Sequence, residues 1–99
     1  MALFDVYRVA GDVLVLDCQA DLLSDFPTRF VVPLRVMYTS QRAGLARLCP
    51  VFDVGGQQLA MVTPLARGID RREIEETVGN LARHEAEIRG ALAMLTTGL

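Results

Sequence analysis

The sequence predicts a mainly β domain, an antiparallel sheet curled into a small barrel, with one α-helix at the C-terminus. Three observations indicate this class. Residues 4–9 and 13–18 alternate in strand fashion on either side of a short glycine turn. Gly55-Gly56 lies between two further apolar runs, and large apolar residues recur at helical spacing after residue 80. Ninety-nine residues suffice for one domain, so we expect residues 1–99 to form a single unit.

The first hairpin is followed by a loop that contains two adjacent leucines. Residues 4–9 are rich in aromatic and β-branched side chains, and residues 13–18 form the returning strand. Residues 21–28 then form a loop that carries Leu22 and Leu23. Neighbouring leucines cannot both enter one core unless the loop folds over it. Either the loop covers the core or at least one leucine is exposed.

The middle of the chain contains a third strand and a second hairpin. Residues 29–32 read as a strand ending at Pro33, because proline donates no ladder hydrogen bond. Residues 34–48 are ambiguous, and residues 43–48 suit either a short helix or an irregular crossing. Gly55-Gly56 predicts a type I′ turn between residues 51–54 and 57–63.

A capping motif precedes the C-terminal region. Asp70 and Glu73 have capping-box spacing, which predicts a short helix running to Glu76. Gly79 and Asn80 then interrupt that helix.

The final helix is expected to begin near Asn80 or Ala82 and to end at Gly98, a typical helix C-cap residue. Its apolar side chains fall at helical spacing and predict a buried stripe. The stripe comprises Leu81, Ile88, Leu92 and Leu95.

Composition argues against nucleic-acid binding by the chain alone and against a membrane span. The net charge is −2, and the arginines are scattered along the chain without forming a basic stripe. No apolar run approaches the roughly 18 residues that a membrane span needs. The N-terminus has neither a basic region nor a cleavage signal, so we expect a cytoplasmic protein.

The cysteines and the histidine predict no metal site. Cys18 and Cys49 are far apart in sequence and form no CxxC pair, and His84 is the one histidine available to join them. Cys18 alternates with Leu16, which favours a buried apolar thiol, with a Cys18–Cys49 disulfide as the alternative. We therefore expect no metal site.

No set of residues has the pattern of a catalytic site. Ser24 and Ser40 lie outside any nucleophile-elbow context, and His84 lies in a charged helical turn without a partner for general base catalysis. The acidic residues after Arg72 suit the first turn of a helix. The expectation is that no residue is catalytic and that the protein is not an enzyme, and specifically not a ribonuclease.

An ordered set of short segments spans nearly the whole chain. The segments are Val6-Tyr7, residues 17–23, residues 31–34, Pro50-Val51, Val54-Gly55, residues 61–63, residues 74–78, Leu81, Glu85, Ile88, Ala91 and Gly98-Leu99. Together they resemble the CcdB toxins of bacterial toxin–antitoxin modules. No single segment is a strong motif, but their order and near-ungapped spacing are specific.

The resemblance implies an SH3-like barrel with a C-terminal helix, built as a homodimer that uses no cofactor. It implies binding to the DNA gyrase A subunit, topoisomerase inhibition and a role in plasmid maintenance. A CcdA-like antitoxin would neutralise the dimer and help to regulate transcription of the operon. The resemblance also implies target-binding residues, which are Leu22, Leu23, Glu85, Thr97, Gly98 and Leu99.

The chain departs from the family pattern at Thr96 and Thr97, where members usually carry aromatic residues. An aromatic anchor can contribute ~2–4 kcal/mol at an interface, and threonine cannot replace it. One alternative is therefore a family member that has lost gyrase poisoning and acts through antitoxin binding and operon regulation. Another is a ribonuclease of the MazF type, which shares the fold; the acidic net charge and the missing catalytic cluster rank it lower.

Overall fold

The computed structural model describes residues 1–36 and 46–98. Within these ranges the chain forms antiparallel strands and a helix, joined in part by single 3₁₀ turns. The elements are β1 (Asp5–Val9), β2 (Val13–Asp17), β3 (Thr28–Val36), β4 (Val51–Val54), β5 (Gln57–Met61), β6 (Arg67–Asp70), β7 (Ile74–Asn80) and α1 (Glu85–Thr97).

The strands form one curled sheet in the order β4-β5-β3-β2-β1-β7. The long strand β3 divides one of its edges between two partners. Residues 28–31 pair with β6, and residues 34–36 pair with β5. The mainly β class with one C-terminal helix is confirmed, although β6 and β7 were not predicted as strands.

Both predicted hairpins are confirmed. Strands β1 and β2 pair up to Val9 and Val13 across a turn in which Gly11 has a φ of 82°. Strands β4 and β5 are joined by two residues only, Gly55 and Gly56, with φ values of 61° and 85°. Positive φ at both central positions is what a type I′ turn requires, and glycine adopts it without steric cost.

The prediction that the third strand ends at Pro33 was wrong. Strand β3 continues to Val36, and Pro33 lies opposite Val15 of β2. On the other edge of β3, the pairing with β6 ends at Val31 and the pairing with β5 begins at Leu34. Between them the carbonyl oxygen of Pro33 accepts a hydrogen bond from the Val62 nitrogen (2.9 Å). The N–H that Pro33 lacks would point to this same edge, in the gap between the two pairings, so β3 loses no hydrogen bond to β2. Of the helix or crossing considered at residues 43–48, residues 43–45 lie outside the described residues.

The helix predicted to run from Asp70 to Glu76 was also wrong, although its capping box exists. The Asp70 carboxylate accepts from the Arg72 nitrogen (2.8 Å), and the Glu73 carboxylate accepts from the Asp70 nitrogen (2.9 Å). This box closes one 3₁₀ turn, after which residues 74–80 form β7 along the outer edge of β1. Pairing with β1 satisfies backbone groups that would otherwise form a bare sheet edge, so tertiary context overrides the local signal.

The two faces of the sheet bury separate apolar clusters. Helix α1 covers one face, where Ile88 and Ala91 pack with Leu16 and Val32. Their strand neighbours Val15 and Val31 belong to the cluster on the other face, with Tyr7, Val9 and Ile69.

The prediction of a buried stripe on α1 was wrong at the C-terminal end. Leu81 and Ile88 are buried and Leu92 is half-buried, but Leu95 remains 42% exposed. The apolar stripe of α1 therefore meets the sheet for only part of its length. In the described ranges, no helix is sufficiently long and apolar for a membrane crossing.

Candidate functional site

Leu22 and Leu23 lie in the connection between β2 and β3. Residues Asp21–Leu23 form a single 3₁₀ turn. Leu22 is 92% exposed and Leu23 is also exposed, so the turn presents its leucines instead of folding over a core. Of the two arrangements that the sequence allows, the structure has the exposed one.

Three side-chain hydrogen bonds hold this turn in place. The Asp21 carboxylate accepts from the Leu3 nitrogen at 2.8 Å. The Gln19 carboxamide bridges the turn and the sheet, because its oxygen accepts from the Phe30 nitrogen (2.8 Å) and its nitrogen donates to the Leu23 carbonyl (3.1 Å). The exposed leucines are thus carried by a backbone that is fixed to β3 and to the N-terminus.

Beneath the turn lies a buried ionic cluster that the sequence analysis missed. Asp17 and Arg29 are fully buried, and one carboxylate oxygen, Oδ2, accepts from Arg29 Nε at 2.9 Å and lies 2.7 Å from Nη2. The same oxygen accepts from the Tyr7 hydroxyl, while Oδ1 accepts from the Gln19 nitrogen at 2.9 Å. Burial, reinforced by Asp17, raises the pKa of Tyr7 well above its usual range.

Strand alternation could have revealed this cluster. Asp17 lies two residues after the buried Val15, and Arg29 lies two residues before the buried Val31. Successive side chains of a strand point to opposite faces, so both charges fall on an apolar face. Within the described residues Arg29 Nη1 has no hydrogen-bond partner, and the ion pair with Asp17 is what compensates the buried charge.

The N-terminal end of α1 carries Glu85 at the surface. Its carboxylate pairs with Arg89 at 2.7 Å, one turn along the helix, and the Arg89 guanidinium lies 5.8 Å from the centre of the Phe4 ring. His84, just before α1, stacks on Phe52 with ring centres 4.7 Å apart and contacts the Glu87 carboxylate at 2.9 Å. His84 is therefore a half-buried contact between α1 and β4, not simply a surface residue.

The C-terminal end of α1 closes as the sequence predicts. Gly98 is left-handed, with a φ of 78°, and its nitrogen donates to the Met94 carbonyl at 3.1 Å. The Thr96 hydroxyl donates to the Leu92 carbonyl (2.9 Å), and the Thr97 hydroxyl donates to the Ala93 carbonyl (2.8 Å). Both threonines are exposed, and Leu99 lies outside the described residues.

The expected target-binding residues do not converge on one pocket. Glu85 and Gly98 are at opposite ends of a 13-residue helix, which places their backbones roughly 20 Å apart at 1.5 Å of rise per residue. Leu22 and Leu23 belong to a separate loop. The arrangement suits several contacts with a large partner better than capture of a small molecule.

Cys18 carries a free thiol, and its pKa is raised to about 12, chiefly by burial. Residues 1–36 and 46–98 contain no group of three or more metal-binding side chains.

Solved structures with the same fold include a toxin and an endoribonuclease from mycobacteria. The chain is similar to "Mycobacterium tuberculosis toxin MazF-mt6", with a TM-score of 0.73 and 16% identity over 90% of this chain and 92% of that one. It is also similar to "Endoribonuclease from Mycobacterial species", with a TM-score of 0.75 and 13% identity over 95% of this chain and 88% of that one. At such identities the likeness shows a shared fold.

These likenesses contradict the expectation that the protein is not an enzyme. The expectation relied on the sequence, in which His84 has no familiar carboxylate partner and no basic groove is evident. The structure itself places the Glu87 carboxylate 2.9 Å from His84. The fold nonetheless occurs in a protein described as an endoribonuclease. Side chains other than histidine can move protons in catalysis, so the absence of a familiar pair was not a valid ground for exclusion.

Family assignment rests on a match over almost the entire chain. The curated protein sequences compared with it give no match. A family model described as CcdB protein matches residues 3–98. This range includes the Leu22-Leu23 turn and the left-handed end of α1. The chain therefore belongs to the CcdB family of toxins from toxin–antitoxin modules.

Proposed function

We propose that this toxin binds the A subunit of DNA gyrase and inhibits topoisomerase action. The observation that carries the proposal is the exposure of Leu22, which is 92% exposed on a turn fixed by three side-chain hydrogen bonds. An exposed leucine adds little to folding stability. On a backbone that is already fixed it favours binding, because little conformational entropy is lost on contact. The resemblance to CcdB toxins supports the choice of gyrase as the target.

Two further regions contribute to the same contact. The left-handed Gly98 ends α1 so that the chain can leave the helix toward a partner. Thr97 lies exposed beside it, and Glu85 offers a carboxylate at the other end of the helix. Burying one leucine contributes about 1.5–3 kcal/mol, so the turn supplies apolar affinity and Glu85 supplies orientation.

The toxin acts as a homodimer and is neutralised by a CcdA-like antitoxin. Support comes from family membership and from the exposed apolar side chains of Leu65 and Leu95, since α1 contacts the turn that contains Leu65. An antitoxin that covers the dimer would both block the target-binding surface and regulate the operon.

A second function is favoured by one observation at the end of α1. Thr96 and Thr97 direct their hydroxyls back to helix carbonyls, and neither can act as an aromatic anchor. A protein with this end could retain antitoxin binding and operon regulation without poisoning gyrase.

The test compares Leu22→Ser with Val13→Ser, a matched change at an exposed apolar residue beside the first hairpin turn. Binding of wild type and variants to a gyrase A fragment is measured by calorimetry, together with stabilised DNA cleavage by whole gyrase. We expect wild type and Val13→Ser to bind and Leu22→Ser to lose at least tenfold in affinity, with melting temperatures within a few degrees.

The other outcomes assign the alternatives. If wild-type protein ignores gyrase but binds its antitoxin, the gyrase proposal is wrong and the regulatory function is supported. Cleavage of purified RNA by the same preparation would instead assign the activity named for the structurally similar endoribonuclease.

A further inference from the structure

Two phenylalanines are exposed close to the Leu22-Leu23 turn. Phe26 is 51% exposed and Phe30 is 39% exposed. Phenylalanine has no polar group that would gain from water, so two such rings near one turn leave a large apolar area in solvent.

The backbone joins both phenylalanines to the turn. The Phe26 nitrogen donates to the Leu23 carbonyl at 3.0 Å, which closes a tight turn between them. The same Leu23 carbonyl accepts from the Gln19 carboxamide, whose oxygen in turn accepts from the Phe30 nitrogen. One carboxamide therefore links the backbones that carry Leu23, Phe26 and Phe30.

Space is available around the Phe30 ring. Its cross-strand partner in β6 is Gly68, which has no side chain. Even a Cβ added at Gly68 would meet no atom within 4 Å. Most strand positions cover their neighbour with a side chain, whereas here Gly68 leaves Phe30 39% exposed.

The charges of this segment restrict the partner. Asp21 and Asp25 are both exposed on the loop that carries Leu22 and Phe26. The Arg71 guanidinium donates to the Ser24 carbonyl at 3.5 Å, so the two carboxylates and this one cation leave the segment with a net negative charge, which disfavours an anionic membrane or a nucleic acid. The carboxylates suit a protein pocket that is apolar at its centre and basic at its rim.

We infer that Phe26 and Phe30 are further target-contact residues and supply the aromatic anchor that Thr96 and Thr97 do not. The inference rests on the proposed function, because it assigns the rings to the same protein target that Leu22 contacts. The anchor has moved from the end of α1 to the β2–β3 connection. Aromatic rings dominate interface energetics when a partner pocket excludes water around them, so Phe26, the more exposed ring, should contribute most.

The test measures affinity for the gyrase A fragment in full-length Phe26→Ser and Phe30→Thr proteins. Phe30→Thr introduces a β-branched residue that suits a strand, and Phe26→Leu keeps an apolar side chain without an aromatic ring. Val78→Ser, at an exposed position of β7, is the matched control. We expect at least a tenfold loss of affinity for Phe26→Ser, a smaller loss for Phe26→Leu and Phe30→Thr, and no change for Val78→Ser.

Melting temperature and sedimentation are measured on every variant. If wild type binds, Leu22→Ser weakens binding and Phe26→Ser does not, the inference is wrong while the proposed function stands. If Phe26→Ser turns a dimer into a monomer, the ring belongs to the dimer interface and the inference is wrong. If wild type does not bind gyrase A, the proposed function fails first, and this assignment fails with it.

Discussion

At the scale of single residues, a buried ion pair and an exposed turn depend on each other. Asp17 is the last residue of β2, Arg29 is the second residue of β3, and both side chains are fully buried. The other oxygen of Asp17 holds the Gln19 backbone, and the Gln19 side chain holds the turn that carries Leu22. The turn proposed to bind the target is therefore positioned by a fully buried ion pair and by the half-buried Gln19.

Replacing Asp17 by asparagine should destabilise the fold strongly. The change leaves Arg29 charged and buried, which typically costs ~3–5 kcal/mol when one partner of a buried pair is removed. Urea unfolding gives the free energy directly, with the exposed Asp25→Asn as the control, expected within ~0.5 kcal/mol of wild type. A loss below 1 kcal/mol for Asp17→Asn would show that the pair contributes little.

The Cys18 thiol should make stability depend on pH above 9. Burial raises its pKa from 9.0 to about 12 in the folded protein, whereas the unfolded thiol ionises from about pH 9. The unfolded state therefore loses its proton first, and stability falls as pH rises between these two values. Between pH 8 and pH 10.5 we expect the free energy of unfolding to fall by about 1–2 kcal/mol less in Cys18→Ala than in wild type. Urea unfolding with reductant present measures this difference. Equal losses in the two proteins would refute the assignment.

At the scale of elements, local sequence signals predicted the turns correctly but not which element follows them or where a strand ends. The capping box at Asp70 forms, yet it is followed by β7 because β1 offers an unpaired edge. The Gly55-Gly56 turn and the Gly98 cap form where the sequence places them, because left-handed backbone is a local requirement that glycine satisfies.

Gly90 within α1 and Gly98 just after its last residue should respond in opposite directions to alanine. Gly98 is left-handed, so Gly98→Ala strains the cap and should cost about 1 kcal/mol. Gly90 lies within α1, and a Cβ there meets no described atom within 4 Å, so Gly90→Ala should stabilise by about 0.5–1 kcal/mol. Thermal unfolding followed by circular dichroism measures both changes. A stabilised Gly98→Ala protein would contradict the left-handed cap.

At the scale of the whole molecule, exposed apolar side chains remain after the two clusters are complete. Leu65 follows β5 and Leu95 lies in the last turns of α1, and both are exposed in a single chain. A homodimer explains this exposure, because the end of α1 in one protomer would cover the turn at Leu65 in its partner across a two-fold axis. Stable interfaces bury about 1,200–2,000 Å² in total, which requires more apolar area than one leucine supplies.

Leu95→Asp should therefore dissociate the homodimer into monomers. Placing a carboxylate in an apolar interface leaves a charge without a partner and should weaken association at least a hundredfold, an effect of about 3 kcal/mol. Sedimentation at micromolar concentration distinguishes dimer from monomer. The control is Val13→Asp, at an exposed apolar residue that is distant from Leu95 in sequence. A wild-type protein that sediments as a monomer would rule out the homodimer, and a dimeric Leu95→Asp would exclude this surface.

The sequence by itself determined the features that depend on neighbouring residues. Alternation, glycine turns and helical spacing specified the two hairpins, the C-terminal helix and its left-handed end, and the order of segments identified the family. The same information placed Leu22 and Leu23 in a loop but left their exposure open, because burial depends on what the rest of the chain covers.

Only the tertiary structure decided the features that join distant segments. It extended β3 through Pro33, because the edge there lies between two partner strands, and it turned residues 74–80 into a strand, because β1 had an edge to fill. It joined Asp17 to Arg29 and left Phe26 and Phe30 uncovered beside Leu22. Each of these results follows from contacts between residues far apart in sequence, where the free energy of pairing or burial outweighs the local preference of the chain.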